Sequence, residues 1–124
     1  MDEIILNIKY SCCEISKLMR ETEPIKLSKI TNDNNKSGDD VKKLDILSNE
    51  ILKTNLLKCK NIKMIGSEEE DEFIYTENKD GDYLVCFDPL DGSSNIDSNI
   101  TVGTIFVIYS IKKGLNDGNS IVCS

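Results

Sequence analysis

Apolar residues recur at helical spacing through the first part of the chain. Ile4, Ile5, Ile8, Cys12, Ile15 and Leu18 or Met19 fall three or four apart with charged residues between them, which predicts an amphipathic helix over residues 2–20. Cys12 and Cys13, side by side on it, point to different faces. Pro24 and the polar run from Thr31 to Gly38 predict a loop over residues 21–38. A second stripe, Val41, Leu44, Leu47, Ile51, Leu52, Leu56 and Leu57, predicts a helix over residues 39–58, with Asp39 or Asp40 at its N-cap.

Beyond that helix the pattern changes to short apolar, β-branched and aromatic runs. Residues 61–66, 73–76, 83–87 and 101–111 read as strands. Tyr83-Leu84-Val85-Cys86-Phe87 is apolar throughout and predicts a strand buried on both faces. Gly103 allows a bulge or a close backbone approach. Residues 112–124 form a polar tail with a turn at Asn116-Asp117-Gly118-Asn119.

At 124 residues with 39% hydrophobic content, the chain is one domain by length, with apolar material for a modest core. A net charge of −7, from 22 acidic and 15 basic residues, argues against non-specific binding to nucleic acid or to an anionic membrane. The sequence contains no histidine, which removes imidazole bases, imidazole-ligated zinc and the usual nucleophile triads. Five cysteines show no paired or zinc-type spacing and read as buried or free thiols in a reducing, cytoplasmic setting. No basic leader or apolar span is evident.

The most informative chemistry lies at Asp88-Pro89-Leu90-Asp91-Gly92-Ser93-Ser94, after the apolar strand. Pro89 fixes φ and stiffens the turn, which helps to present the Asp88 carboxylate and the Leu90 carbonyl together. Asp91 adds a second carboxylate, and oxygen donors of this kind suit magnesium. Gly92 permits a conformation closed to other residues, after which Ser93 and Ser94 offer N–H groups and hydroxyls to a phosphate. Metal-assisted phosphoryl chemistry needs that combination. Taken alone, the run also serves as a strand-ending turn.

Other acids have two readings each. Glu68 to Glu72 follow a strand as five consecutive acids, either a solvated, self-repelling loop or an acidic cluster facing the end of another strand, where open sheets place their sites. Asp39 is either a helix cap or a ligand. Asp45 is either a solvated charge beside Lys42 and Lys43 or part of a site. Asp33, Asn35, Ser37 and Gly38 imitate the start of a calcium loop, but Leu44 stands where its bidentate glutamate belongs, so no calcium site is assigned.

The run from Phe87 to Tyr109, FDPLDGSSNIDSNITVGTIFVIY, together with GDDVKKLDILSNE and Ser67-Glu68-Glu69 in the same order, resembles the class 1 fructose-1,6-bisphosphatase family. The resemblance covers nearly the whole chain and corresponds to the N-terminal part of much longer enzymes, truncated at the C-terminus. It implies an α/β, layered α-β-α sugar-phosphatase fold, with helices packed on a mixed sheet and the later strands missing. It implies removal of the 1-phosphate of fructose 1,6-bisphosphate in carbohydrate metabolism. Two or three magnesium ions, with manganese or zinc as substitutes, would be held by Asp39, Glu68, Asp88, the Leu90 carbonyl and Asp91. Glu69 would be the general base assisted by Asp45, and Asp91, Gly92, Ser93 and Ser94 would hold the phosphate.

The same resemblance implies a mobile loop over residues 21–38 and a homotetrameric full-length enzyme. Asp82, where animal relatives carry a lysine before the tyrosine, predicts weak inhibition by AMP. Two alternatives come with it: a sedoheptulose-bisphosphatase or inositol-monophosphatase-like enzyme, and a non-catalytic fragment that binds cations or pairs with full-length subunits.

Overall fold

The computed structural model describes residues 1–27, 34–94, 101–115 and 118–124, and the side chains of 22–27 and 34–40 lie outside that description. Two helices, α1 (Asp2–Leu27) and α2 (Asn34–Leu56), precede five strands: β1 (Ile62–Ser67), β2 (Ile74–Tyr75), β3 (Tyr83–Asp91), β4 (Gly103–Ser110) and β5 (Ile121–Cys123). The strands form one sheet in the order β2-β1-β3-β4-β5. β1 and β3 are parallel, whereas the other neighbours are antiparallel.

The buried stripe of α1 is Ile4, Ile8, Ser11 and Ile15, close to the periodicity of the sequence. On α2 it is Leu44, Ser48, Leu52 and Leu56, and these two stripes join Ile62, Ile65, Val85, Phe87 and Ile108 of the sheet in one core. Leu47 and Leu57, expected on the buried stripe, are 48% and 42% exposed. The reason is rotational: the helix is phased by Leu44, Leu52 and Leu56, which leaves Leu47 toward the rim. Asn55 takes an inward position and donates to Ser11 Oγ and Glu14 Oε2, both at 3.0 Å, so the two helices also meet through polar groups.

Several expected boundaries change. α1 runs through Pro24 to Leu27, and α2 begins at Asn34 rather than at Asp39, so the predicted loop over 21–38 is largely helical and residues 28–33 lie outside the described set. A proline removes its own N–H and crowds one carbonyl, a local cost that does not prevent the next turn from forming. Asp39 and Asp40 are therefore inside α2 and are not its N-cap. β3 continues past Phe87 through Pro89 to Asp91, and β5 lies in the tail expected to be without strands. Asn116 and Asp117 of the expected tail turn are outside the described residues.

Pro89 is accommodated by a bulge. Asp88 pairs with Ile105 and Asp91 with Gly103, so three steps along β3 match two along β4. The missing N–H of Pro89 falls in the irregular part of the ladder, where a proline is tolerated. Of β3, Leu84, Val85 and Phe87 are buried, but Cys86 is only partly covered and lines a groove. That groove, about 410 Å³, is also bordered by Phe73 and Ile105, which are 52% and 57% exposed. The expected burial of β3 on both faces is thus incomplete at Cys86.

Candidate active site

Parallel pairing of β1 and β3 sets Ser67 opposite Phe87, and the ladder is extended by the Glu68 N–H donating to the Phe87 carbonyl at 3.0 Å. Glu68 and Asp88 consequently leave the same end of the sheet side by side. In an unbroken strand Asp88 and Asp91, an odd number of residues apart, would point to opposite faces. The bulge at Pro89 shifts the alternation by one residue and brings them into electrostatic contact. Asp88 Oδ1 accepts the Leu90 N–H at 3.0 Å, which closes the turn on itself. Thr104 Oγ1 donates to the Pro89 carbonyl at 3.0 Å and fixes the bulge to β4. Gly92 follows with φ 79°, the left-handed conformation that the sequence required of it.

Asp45 reaches the same place from α2. Burial pushes its carboxyl up from the ordinary aspartate range, a hydrogen bond with Ser93 opposes this, and the charge of Glu68 adds to it. The Glu69 carboxyl is raised first by burial and then by Asp45, Glu68 and Asp88. Asp88 is raised first by burial, is partly relieved by the Leu90 N–H, and is raised further by Glu68, Asp91 and Asp45. The charges that raise these three carboxyls are those of neighbouring carboxylates. The cluster therefore gathers several carboxylate oxygen donors, the ligand type that a hard divalent cation takes. Among the described residues no three such side chains converge closely enough to form a metal-holding group.

Of the residues expected from the sequence, Asp45, Glu68, Glu69, Asp88, Leu90, Asp91, Gly92 and Ser93 come together at this end of the sheet, and Ser94 stands next to Ser93 in the short turn that follows. The side chain of Asp39 lies outside the description. Asp82 is paired with Lys112 at 2.8 Å, so its charge is partly met within the chain.

Sequence reading passed over the support beneath the acidic turn. Asn49 accepts from Ser67 Oγ at 2.7 Å and donates to Glu70 Oε1 at 2.9 Å. Lys53 Nζ lies 2.6 Å from the same Glu70 oxygen and 2.7 Å from Glu50 Oε1. Asp45, Asn49 and Lys53 are spaced four apart and share one face of α2, a signal present in the sequence.

Residues 1–122 match the family described as "Fructose-1-6-bisphosphatase, N-terminal domain". The chain belongs to the fructose-1,6-bisphosphatase family. It is 39% identical over 133 aligned positions to the class 1 fructose-1,6-bisphosphatase of Saccharophagus degradans, covering 100% of this chain and 41% of the relative. It is 41% identical over 116 positions to the cytosolic fructose-1,6-bisphosphatase of Solanum tuberosum, covering 92% of this chain and 33% of that one. Among solved structures, the holo form of Leishmania major fructose-1,6-bisphosphatase superposes with a TM-score of 0.76 at 34% identity, over 97% of this chain and 37% of the other. The T-state of the same enzyme gives 0.69 over 94% of this chain and 33% of that one. The chain thus spans about two-fifths or less of the length of these fructose-1,6-bisphosphatases. No described helix is long and apolar enough to cross a membrane.

Proposed function

We propose that this chain, as a single domain over residues 1–124, provides the cation and phosphate half of a fructose-1,6-bisphosphatase site. The reaction is hydrolysis of the 1-phosphate of fructose 1,6-bisphosphate in cytoplasmic carbohydrate metabolism, by a full-length enzyme that assembles as a homo-oligomer. The observation that carries this reading is the meeting of the acidic turn after β1 with the Asp88–Asp91 bulge, at the ends of two adjacent parallel strands.

Glu68, Asp88, the Leu90 carbonyl and Asp91, with Asp39, are the proposed holders of magnesium. When bound, magnesium supplies acidification of a water molecule and neutralisation of charge on the phosphate and leaving oxygen. Glu69 accepts the proton of the attacking water, a role that suits a carboxyl raised above its ordinary range by burial and by neighbouring acids. Asp45 positions that water from α2. Gly92, Ser93 and Ser94 present their N–H groups and hydroxyls to the phosphoryl oxygens.

The test is calorimetric titration of the chain with magnesium or manganese, followed by phosphate release from fructose 1,6-bisphosphate, with Asp91→Ala alongside. Cation binding and phosphate release, both lost in Asp91→Ala, support the reading. Cation binding without phosphate release is compatible with the half-site as proposed and equally with the alternative of a non-catalytic cation-binding fragment. A folded chain that binds neither ion defeats both.

A further inference from the structure

The turn that carries Glu68 and Glu69 has little reason to keep its shape unaided. It contains five consecutive acids, and their mutual repulsion favours an open loop. It is nevertheless tied at both ends to one residue. Asn49, only 5% exposed, takes the Ser67 hydroxyl on its carbonyl oxygen and gives its amide N–H to Glu70. Ser67 Oγ in turn accepts the Glu69 N–H at 3.2 Å, and the Ser67 carbonyl accepts the Glu70 N–H at 3.2 Å. A primary amide is the side chain that can accept on one atom and donate from the other in this way. Lys53 then removes Glu70 from the repulsive set by pairing with it at 2.6 Å, with Glu50 on its other side at 2.7 Å.

We propose that Asn49 and Lys53 are positioning residues for the acidic site. Acting through Ser67 and Glu70, they hold the turn after β1 so that Glu68 and Glu69 face Asp45 and Asp88, and thereby set the site's affinity for a divalent cation without touching it. The inference rests on the cation-dependent reading above. It gives three of the five acids two purposes: Glu68 and Glu69 face the site, whereas Glu70 is the anchor. It also explains why α2 presents Asp45, Asn49 and Lys53 on one face, since one rigid helix then places a site acid and both supports of the opposing turn.

Manganese affinity of the 124-residue chain would be measured by water-proton relaxation, together with amide hydrogen exchange at residues 67–70 in the absence of metal. Asn49→Ala, Asn49→Asp and Lys53→Met are expected to weaken manganese binding about 10-fold or more, in the range found for supporting groups around metal sites. They are also expected to speed exchange of the Glu69 amide. Lys53→Arg, which keeps the positive charge beside Glu70, should weaken manganese binding less than Lys53→Met does. Asn55→Ala, in the polar contact between the helices, should lower the melting temperature and leave manganese affinity unchanged. If Asn49→Ala does not fold, Lys53→Met decides, since Lys53 is outside the apolar core. Parent-like manganese affinity in folded Asn49→Ala and Lys53→Met, or equal weakening in Asn55→Ala, would overturn the inference while the cation reading stands. A parent chain that binds no manganese overturns both.

Discussion

Glu68 and Asp88 are neighbours because Ser67 and Phe87, the residues just before them, stand opposite one another in the only parallel strand pair of the described sheet. Each acid is the first residue past that register, and the Glu68 N–H bonded to the Phe87 carbonyl keeps the two strand ends together. In the absence of a cation this closeness is unfavourable, since both groups are carboxylates and Asp88 is partly buried. The proposed function and the stability of the metal-free chain are therefore opposed.

Replacing Asp88 by asparagine separates the two. The amide oxygen can still accept the Leu90 N–H, so the turn is kept, while the repulsion from Glu68, Asp91 and Asp45 is removed. The metal-free Asp88→Asn chain is expected to be more stable by about 0.5–1 kcal/mol, a modest figure because the site is open to screening solvent. The gain corresponds to a few degrees in melting temperature. Its stabilisation by magnesium should disappear. Thermal unfolding of both chains with and without magnesium tests this, and a lower melting temperature of the metal-free variant would contradict it.

The pH dependence has a definite sign. Asp45, Glu69 and Asp88 all titrate above their ordinary values in the folded chain, so over that interval the folded state holds more protons than the unfolded one. Their contribution favours folding below the ordinary carboxylate range and is lost as pH rises through the raised values. The metal-free chain should therefore lose stability from these groups between mildly acidic and neutral pH. Saturating magnesium, which favours the ionised carboxylates, should flatten or reverse the trend. Denaturant midpoints at a series of pH values, compared between Asp88→Asn and the parent, isolate the effect.

The acids that the structure brings together at the candidate site were legible in the sequence because they sit at chain positions with strong local signals, the end of an apolar strand and a proline–glycine turn, whereas the bulge within β3 was not. The four-residue spacing of Asp45, Asn49 and Lys53 was also visible, but an asparagine and a lysine on a polar helix face give no hint of the turn they touch. Pro24 misled in the other direction, since proline is a strong local breaker and the helix nevertheless continues to Leu27. β5 escaped notice because Ile121-Val122-Cys123 is too short to show alternation, and its existence depends on the edge that β4 offers. Leu47 and Leu57 show the same limit, because helical phase is decided by the partner surface as well as by the stripe.

Buried polar contacts between α1 and α2 make Asn55 a sensitive position. Its amide serves Ser11 and Glu14, and it is 7% exposed. Asn55→Ala leaves Glu14 without that partner and opens space between the helices, at an expected cost of about 1–3 kcal/mol. The Ser11 hydroxyl still donates to the Asn7 carbonyl at 2.8 Å, which limits the damage. Urea unfolding followed by far-ultraviolet circular dichroism would measure it, and an unchanged midpoint would show that the interhelical contact contributes nothing net.

Two glycines provide a paired test of the sheet. A Cβ at Gly81 would lie 2.7 Å from the Ile62 carbonyl carbon and 2.7 Å from the Lys63 nitrogen, both backbone atoms of β1. Neither can move without shifting the strand that carries Glu68, so Gly81→Ala is expected to cost about 2–3 kcal/mol, as for other forced overpacking. At Gly66 the closest atom is Cε1 of Phe73, also at 2.7 Å, but Phe73 is a side chain 52% exposed and free to swing outward. Gly66→Ala should therefore cost less than about 1 kcal/mol, partly offset by the reduced freedom of the unfolded chain. Chemical denaturation of the two variants should rank Gly81→Ala well below Gly66→Ala. The reverse order would mean that Phe73 is held firmly over Gly66 and that the groove beside Glu68 is closed by a fixed wall.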